Sequence, residues 1–221
     1  MSTVPNSFAN LPPLPVGEHL PGGHKLDPVV TPATAGNRLN HLMIRIRDPA
    51  ETLHFYIDLM GMRTVFAMNA GPMTVYYLGF PQTEEHYDPA KYTAHVWPHQ
   101  TMAKTLGLLE LNHFHGSEKL SKEEFQLESG NRPPHLGLGH LGFTVPDIPT
   151  TLERLTANGV KVVKALGVST RESVPISDWE SDTLNIGRGE LHENFKRIYG
   201  QIAVVEDPNG YWVELVPQEL K

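Results

Sequence analysis

The chain has 221 residues, a formal net charge of −7 and no cysteine. That length buries a sizeable core, as one large domain or two fused modules, and the acidic balance leaves no basic stripe for nucleic-acid phosphates. Disulfides, thiolate metal sites and cysteine nucleophiles are excluded. No apolar run is long enough to span a membrane and no basic-then-apolar leader opens the chain, so a cytoplasmic protein is expected.

Residues 1–37 carry seven prolines and no periodic pattern, which predicts an extended Pro-rich N-terminal arm. A first module is expected over 38–114. Its opening strand, Leu39 to Arg47, alternates apolar residues with a period of two. Asp48-Pro49-Ala50-Glu51 then reads as a helix start, with Asp48 as N-cap, Pro49 at N1 and Glu51 as in a capping box. Leu53, Tyr56, Ile57 and Met60 form one stripe, and Gly61 stops the helix. Strands are predicted near Arg63–Met68, Met73–Phe80 and Thr105–Asn112, with a polar loop over 81–104. Residues 115–136 read as a linker. A second module, 137–221, repeats the order: strand Leu138–Val145, a helix from Asp147, strand Val160–Lys164 and a final hairpin around Asp207-Pro208-Asn209-Gly210. An insertion of 166–200 interrupts it, too long for a simple hairpin.

The two modules share a phrase. His41 is followed seven residues later by Asp48, and His140 by Asp147. The first copy leads to Glu110 in Leu108-Leu109-Glu110-Leu111-Asn112, the second to Glu214 in Trp212-Val213-Glu214-Leu215-Val216. Strand alternation places His41, Met43 and Arg45 on one face and Leu42, Ile44 and Ile46 on the other. Glu110, His140 and Glu214 likewise lie opposite apolar sets. With helices covering the outer faces, the four would point into a cavity between the halves. A single strand histidine or glutamate is ordinary, but four at matched positions indicate a metal site. Two imidazoles and two carboxylates suit a borderline divalent cation. Parity sets His113 and His115 opposite Glu110, as packing or surface groups. His19, His24, His86, His95, His99, His135 and His192 fall in loops, where exposure is expected.

The fold class is therefore α+β, two tandem βαβββ modules whose curled sheets surround a shared metal-binding cavity. Phe55-Tyr56-Ile57-Asp58-Leu59-Met60-Gly61-Met62, Leu109-Glu110-Leu111-Asn112-His113, Gly137-Leu138-Gly139-His140-Leu141-Gly142 and Asp207-Pro208-Asn209-Gly210-Tyr211-Trp212-Val213-Glu214 resemble motifs of the vicinal-oxygen-chelate superfamily, and within it the glyoxalase I (lactoylglutathione lyase) family. The resemblance implies that His41, Glu110, His140 and Glu214 bind one divalent ion per site, Zn²⁺ in preference to Ni²⁺. It implies a homodimer with ligands from both subunits and the arm wrapped over the partner, and isomerisation of the methylglyoxal–glutathione hemithioacetal to S-lactoylglutathione. Glu214 would be the base, Glu110 its counterpart, and Arg45, about 13 Å along the strand from His41, would hold a substrate carboxylate. Phe114 and Leu136 stand where the family carries polar glutathione-contacting groups, and the insertion replaces a basic loop. An alternative is thus a divergent metalloenzyme, isomerase or dioxygenase, acting on a more apolar metabolite without glutathione. A non-catalytic binding protein would not need both carboxylates.

Overall fold

The computed structural model describes residue 6 and residues 8–220; residues 1–5, 7 and 221 lie outside the described set, and with them the first part of the predicted arm. The described part of 1–37 contains turns but neither helix nor strand, and is mostly exposed. It meets the body where Asn194 Nδ2 donates to the Gly17 carbonyl at 2.7 Å.

The first sheet comprises β1 (His41–Ile46), β2 (Arg63–Asn69), β3 (Met73–Gly79) and β4 (Leu108–Phe114), in the order β1-β4-β3-β2. Helix α1 (Pro49–Leu53) follows β1 and continues as a wider π turn over His54–Leu59. The Asp48 carboxylate accepts from the Ala50 amide as predicted, but Glu51 turns away from the cap to pair with Arg47 at 2.9 Å. The π winding also broadens the predicted stripe. Phe55 and Leu59 join Tyr56 and Met60 in the core. Gly61 ends the helix at a φ of 84°, a left-handed conformation that favours glycine.

Where a polar loop is expected, 81–104 holds two helices, α2 (Pro89–Val96) and α3 (His99–Met102). Asp88 caps α2 and Pro89 stands at its first position, the same device that starts α1. Tyr92 and Val96, one turn apart, are buried against Val65 and Leu108. The fit is close: a Cβ on Gly79 would lie 2.2 Å from the Tyr92 hydroxyl. His86, expected to be exposed, is buried here beside the rings of Tyr92 and His95.

Residues 115–136 include a short hairpin, β5 (Asn131–Arg132) with β6 (His135–Leu136). The second sheet comprises β7 (Leu141–Val145), β8 (Lys161–Lys164), β9 (Ala203–Glu206) and β10 (Trp212–Pro217), in the order β7-β10-β9-β8, with α4 (Ile148–Ala157) after β7. The sheets therefore repeat one topology, each with a parallel pair at one edge (β1 with β4, β7 with β10). Residues 166–200 fold into α5 (Asp178–Thr183) and α6 (Glu193–Tyr199). Among the described residues no helix is long and apolar enough to cross a membrane.

One core joins the modules. Ile44, Ile46, Leu109 and Leu111 from the first sheet share it with Leu141, Val205, Val213 and Leu215 from the second. The Tyr56 hydroxyl donates to the buried Asp207 carboxylate at 2.9 Å, and Arg154 Nε donates to the Leu59 carbonyl at 2.9 Å. This packing uses one face of each sheet; the opposite faces are covered in part, by α2 on the first sheet and by the 166–200 insertion on the second.

Candidate metal centre

The open face of the first sheet carries His41, Met43 and Arg45 from β1, all exposed, whereas Ile44 and Ile46 are buried. On β4, Glu110 reaches the same face. His41 Nε2 stands 3.3 Å from Glu110 Oε2. In the second module His140, just ahead of β7, places Nε2 3.4 Å from Glu214 Oε2 on β10. Exposure matches as well, at 39% and 16% for the first pair against 42% and 17% for the second. The hydrogen bonding and negative charge of Glu214 hold the His140 imidazole above its usual pKa, against a smaller opposing effect of burial.

The structure does not bring all four groups together. Among the described residues no three His, Cys, Asp or Glu side chains stand close enough to hold one ion. Within one chain the four candidates stand as two His–Glu pairs, one on each sheet. The reason lies in the packing: each pair belongs to its own sheet, and among the described residues no strand pairing links the sheets. The histidines do share a recess of about 180 Å³ lined by Leu39, Leu42, Leu109 and Phe143. Imidazole and carboxylate donors suit a borderline divalent ion, so each pair fits as half of its coordination shell.

Two residues around the first pair were missed by sequence reasoning. The Asn40 amide nitrogen donates to the carbonyls of Met102 at 2.8 Å and Thr105 at 2.6 Å. Its oxygen is therefore aimed as an acceptor, and His41 Nδ1 lies 2.9 Å from it. A protonated Nδ1 leaves the lone pair on Nε2, the atom facing Glu110, which is the tautomer a metal ligand needs. Tyr77 on β3 donates its hydroxyl to Glu110 Oε2 at 2.7 Å. Burial, followed by the bond to Glu110 and its charge, raises the tyrosine pKa far above its usual value. The adjacency of Asn40 and His41 was a visible signal; the Tyr77 contact depends on strand register, which the sequence does not print.

The second half-site has a different surround. Gly139 precedes His140, and Val204 on β9 occupies the register position opposite Glu214. Lys164 on β8 lies in the same row, also paired with Val204. Its ammonium is buried, donates to the carbonyls of Tyr199 and Ile202, and lies 4.3 Å from the centre of the Tyr199 ring. Burial lowers its pKa to about 8, against the opposing charge of Glu214. Val216, two residues beyond Glu214, packs with Val174, Ile176, Leu191, Tyr199 and Ile202. The insertion therefore walls the open face beside Glu214 with apolar groups.

Of the other predicted residues, Arg45 stands on the open face with its guanidinium 4.8 Å from the centre of the Phe114 ring. His113 is buried and bonded to Glu118 at 2.8 Å, and the exposed His115 meets the Thr74 hydroxyl at 2.8 Å, so one packs and the other is a surface group, both off the Glu110 face. Asn112, between Glu110 and Phe114, keeps a buried side-chain oxygen with no hydrogen-bond partner among the described residues.

Residues 38–174 match the family described as the Glyoxalase/Bleomycin resistance protein/Dioxygenase superfamily. The chain is similar to Glyoxalase I of Saccharomyces cerevisiae, with 29% identity over 184 residues covering 80% of this chain and 44% of that protein. It is similar to Lactoylglutathione lyase of Pseudomonas aeruginosa, with 31% identity over 186 residues and 82% of each chain. It thus spans less than half the yeast relative and most of the bacterial one. Among solved structures, a mutant of glyoxalase I from Zea mays shares the fold at a TM-score of 0.50 and 19% identity, covering 83% of this chain and 45% of that one. With the duplicated βαβββ sheets and the paired His and Glu positions in place, the match settles the lineage: the chain belongs to the Glyoxalase/Bleomycin resistance protein/Dioxygenase superfamily.

Proposed function

We propose that the chain is a metal-dependent lactoylglutathione lyase, converting the methylglyoxal–glutathione hemithioacetal to S-lactoylglutathione. The observation that carries this reading is the pair of equivalent His–Glu contacts, 3.3 and 3.4 Å, at matched positions of two modules in this family. His41 and Glu110 from one copy of the chain, with His140 and Glu214 from a second, would complete a four-ligand site for Zn²⁺, or alternatively Ni²⁺. The open sheet faces and the exposed Leu39, Leu42 and Met43 around β1 support a homodimer. A divalent ion held there supplies Lewis acidity, polarising adjacent substrate oxygens and offsetting the charge of the enediolate.

The chain's own groups then move the protons. Glu214 takes the hydrogen from the carbon bearing sulfur, and that electron pair forms the carbon–carbon double bond of the enediolate. Glu214 returns the proton to the neighbouring carbon, the hydroxyl proton passes to the neighbouring oxygen, and the sulfur-bearing carbon becomes the thioester carbonyl. Arg45 holds a glutathione carboxylate. The apolar insertion limits water around the reacting carbons.

The test uses purified protein stripped with a chelator and reloaded with Zn²⁺ or Ni²⁺. Thioester formation that disappears with the chelator and returns with the ion supports the proposal. A reloaded enzyme with no turnover sinks it. Sedimentation at assay concentration checks the assembly, and a fully active monomer removes the cross-chain site.

One observation favours a second reading. Arg45 stacked on Phe114 and the apolar wall beside Glu214 suit a hemithioacetal whose thiol, or a metabolite whose body, is more apolar than glutathione. A higher kcat/KM for an apolar thiol adduct than for the glutathione adduct would select it.

A further inference from the structure

The half-sites match in their donors and His–Glu distances and differ in what stands behind each carboxylate. Across the first sheet one row runs Glu110, Tyr77, Phe66. Across the second, the corresponding row runs Glu214, Val204, Lys164. Directly opposed residues project from the same face of a sheet, so each row lies on the face that carries its carboxylate.

We infer that Tyr77 is a positioning residue that tethers Glu110 as a fixed metal ligand and so leaves Glu214 as the carboxylate that carries the proton. This rests on the lyase reading above. The Tyr77 hydroxyl donates to Glu110 Oε2 at 2.7 Å, the oxygen that also faces His41 Nε2. The ring is itself clamped. It stacks on Phe66 at 4.6 Å with planes 17° apart, and His41 meets it edge-on at 5.2 Å. Trp97, just after α2, packs edge-on against Phe66 at 5.5 Å and supports the stack from outside.

A hydrogen bond to an ionised carboxylate is shorter and roughly twice as strong as a neutral one. A shuttling carboxylate has to leave its resting contact and reach two successive substrate carbons, and such a bond opposes that movement. Val204 offers no donor, so among the described residues Glu214 has no hydroxyl bond like the one from Tyr77, only the longer-range charge of Lys164. The shape of the row explains why one of two equivalent carboxylates would hold still while the other moves. The tether also fixes the angle at which Glu110 presents its oxygen, as hydrogen-bonded supports of metal ligands do.

The test compares wild type, Tyr77→Phe, Glu214→Gln and the double variant. Zinc affinity is read by competition with a chromogenic chelator, and turnover is measured at saturating zinc. Tyr77→Phe keeps the ring stack, and its circular-dichroism melt should match wild type. Its zinc affinity should fall about 10–100-fold, whereas Tyr76→Phe, one position along β3 and on the opposite face, should leave the affinity unchanged. In the Glu214→Gln background, adding Tyr77→Phe should raise kcat several-fold, because released Glu110 takes over the proton. A Tyr77→Phe affinity within twofold of wild type overturns the tether. A double variant no faster than Glu214→Gln overturns the division of labour. A wild type that binds zinc without isomerising the hemithioacetal removes the lyase reading, while the affinity comparison still decides the tether. A wild type that binds no zinc overturns both.

Discussion

The first half-site and the second carry the same candidate donors at nearly the same spacing, yet hydrogen-bonding side chains support the first and not the second. Asn40 sets the His41 tautomer and Tyr77 bonds to Glu110, whereas Gly139 and Val204 stand at the equivalent points of module two. The walls differ in origin as well. Helix α2 lies against Val65 and Leu108 of the first sheet, and α6 contributes Tyr199 to the cluster around Val216 of the second. The two modules keep the same candidate donors and differ in the residues behind them. The lesson is that ligand identity and ligand mobility are separable properties.

The sharpest way to break this comparison is to exchange the carboxylates for amides. Glu214→Gln should lower kcat by about 10²–10⁴, the usual contribution of a general base, while retaining more metal than Glu110→Gln. Equal kcat losses and equal metal contents in the two variants would erase the proposed asymmetry. Removing the other support comes next. Asn40→Ala frees His41 Nδ1 and should weaken metal binding roughly 10–100-fold; Gly139→Asn in module two should have no such effect.

Arg45→Ala should raise KM roughly tenfold or more with little change in kcat, as expected for loss of a charge-assisted contact made equally in the ground and transition states. An unchanged KM for the glutathione adduct would favour the apolar-thiol reading. The smallest effect concerns the wall of module two. Lys164 has a folded pKa near 8, below the ordinary lysine value of 10.5. Between those values the unfolded chain binds more protons at this site than the folded one, so its contribution makes stability rise with pH and is lost as pH falls through about 8. Melting temperatures of wild type and Lys164→Met from pH 7.5 to 9.5 should therefore diverge in slope, with the wild-type profile gaining relative to the variant.

Much of this architecture was legible before any coordinates. Period-two alternation exposed the strands, and the repeated His-to-Asp phrase aligned the modules closely enough to pick out two histidines and two glutamates. Helix α2 was legible too and was missed. Asp88-Pro89 repeats the Asp48-Pro49 start, and Tyr92 and Val96 supply the apolar stripe, but the polar residues between them disguised it. The supporting groups were harder. Tyr77 is 33 residues from Glu110, and Asn40 is locked by carbonyls more than 60 residues away.

The residue pattern by itself determined the duplicated α+β plan, the four candidate donors and the face of each strand that carries them, because alternation and capping act over a few neighbouring residues. Only the tertiary structure decided that the donors arise as two pairs and which of the two carboxylates is tethered. Those outcomes depend on how two sheets share one core and which side chains meet across strands, and register over long separations is a property of the packed chain.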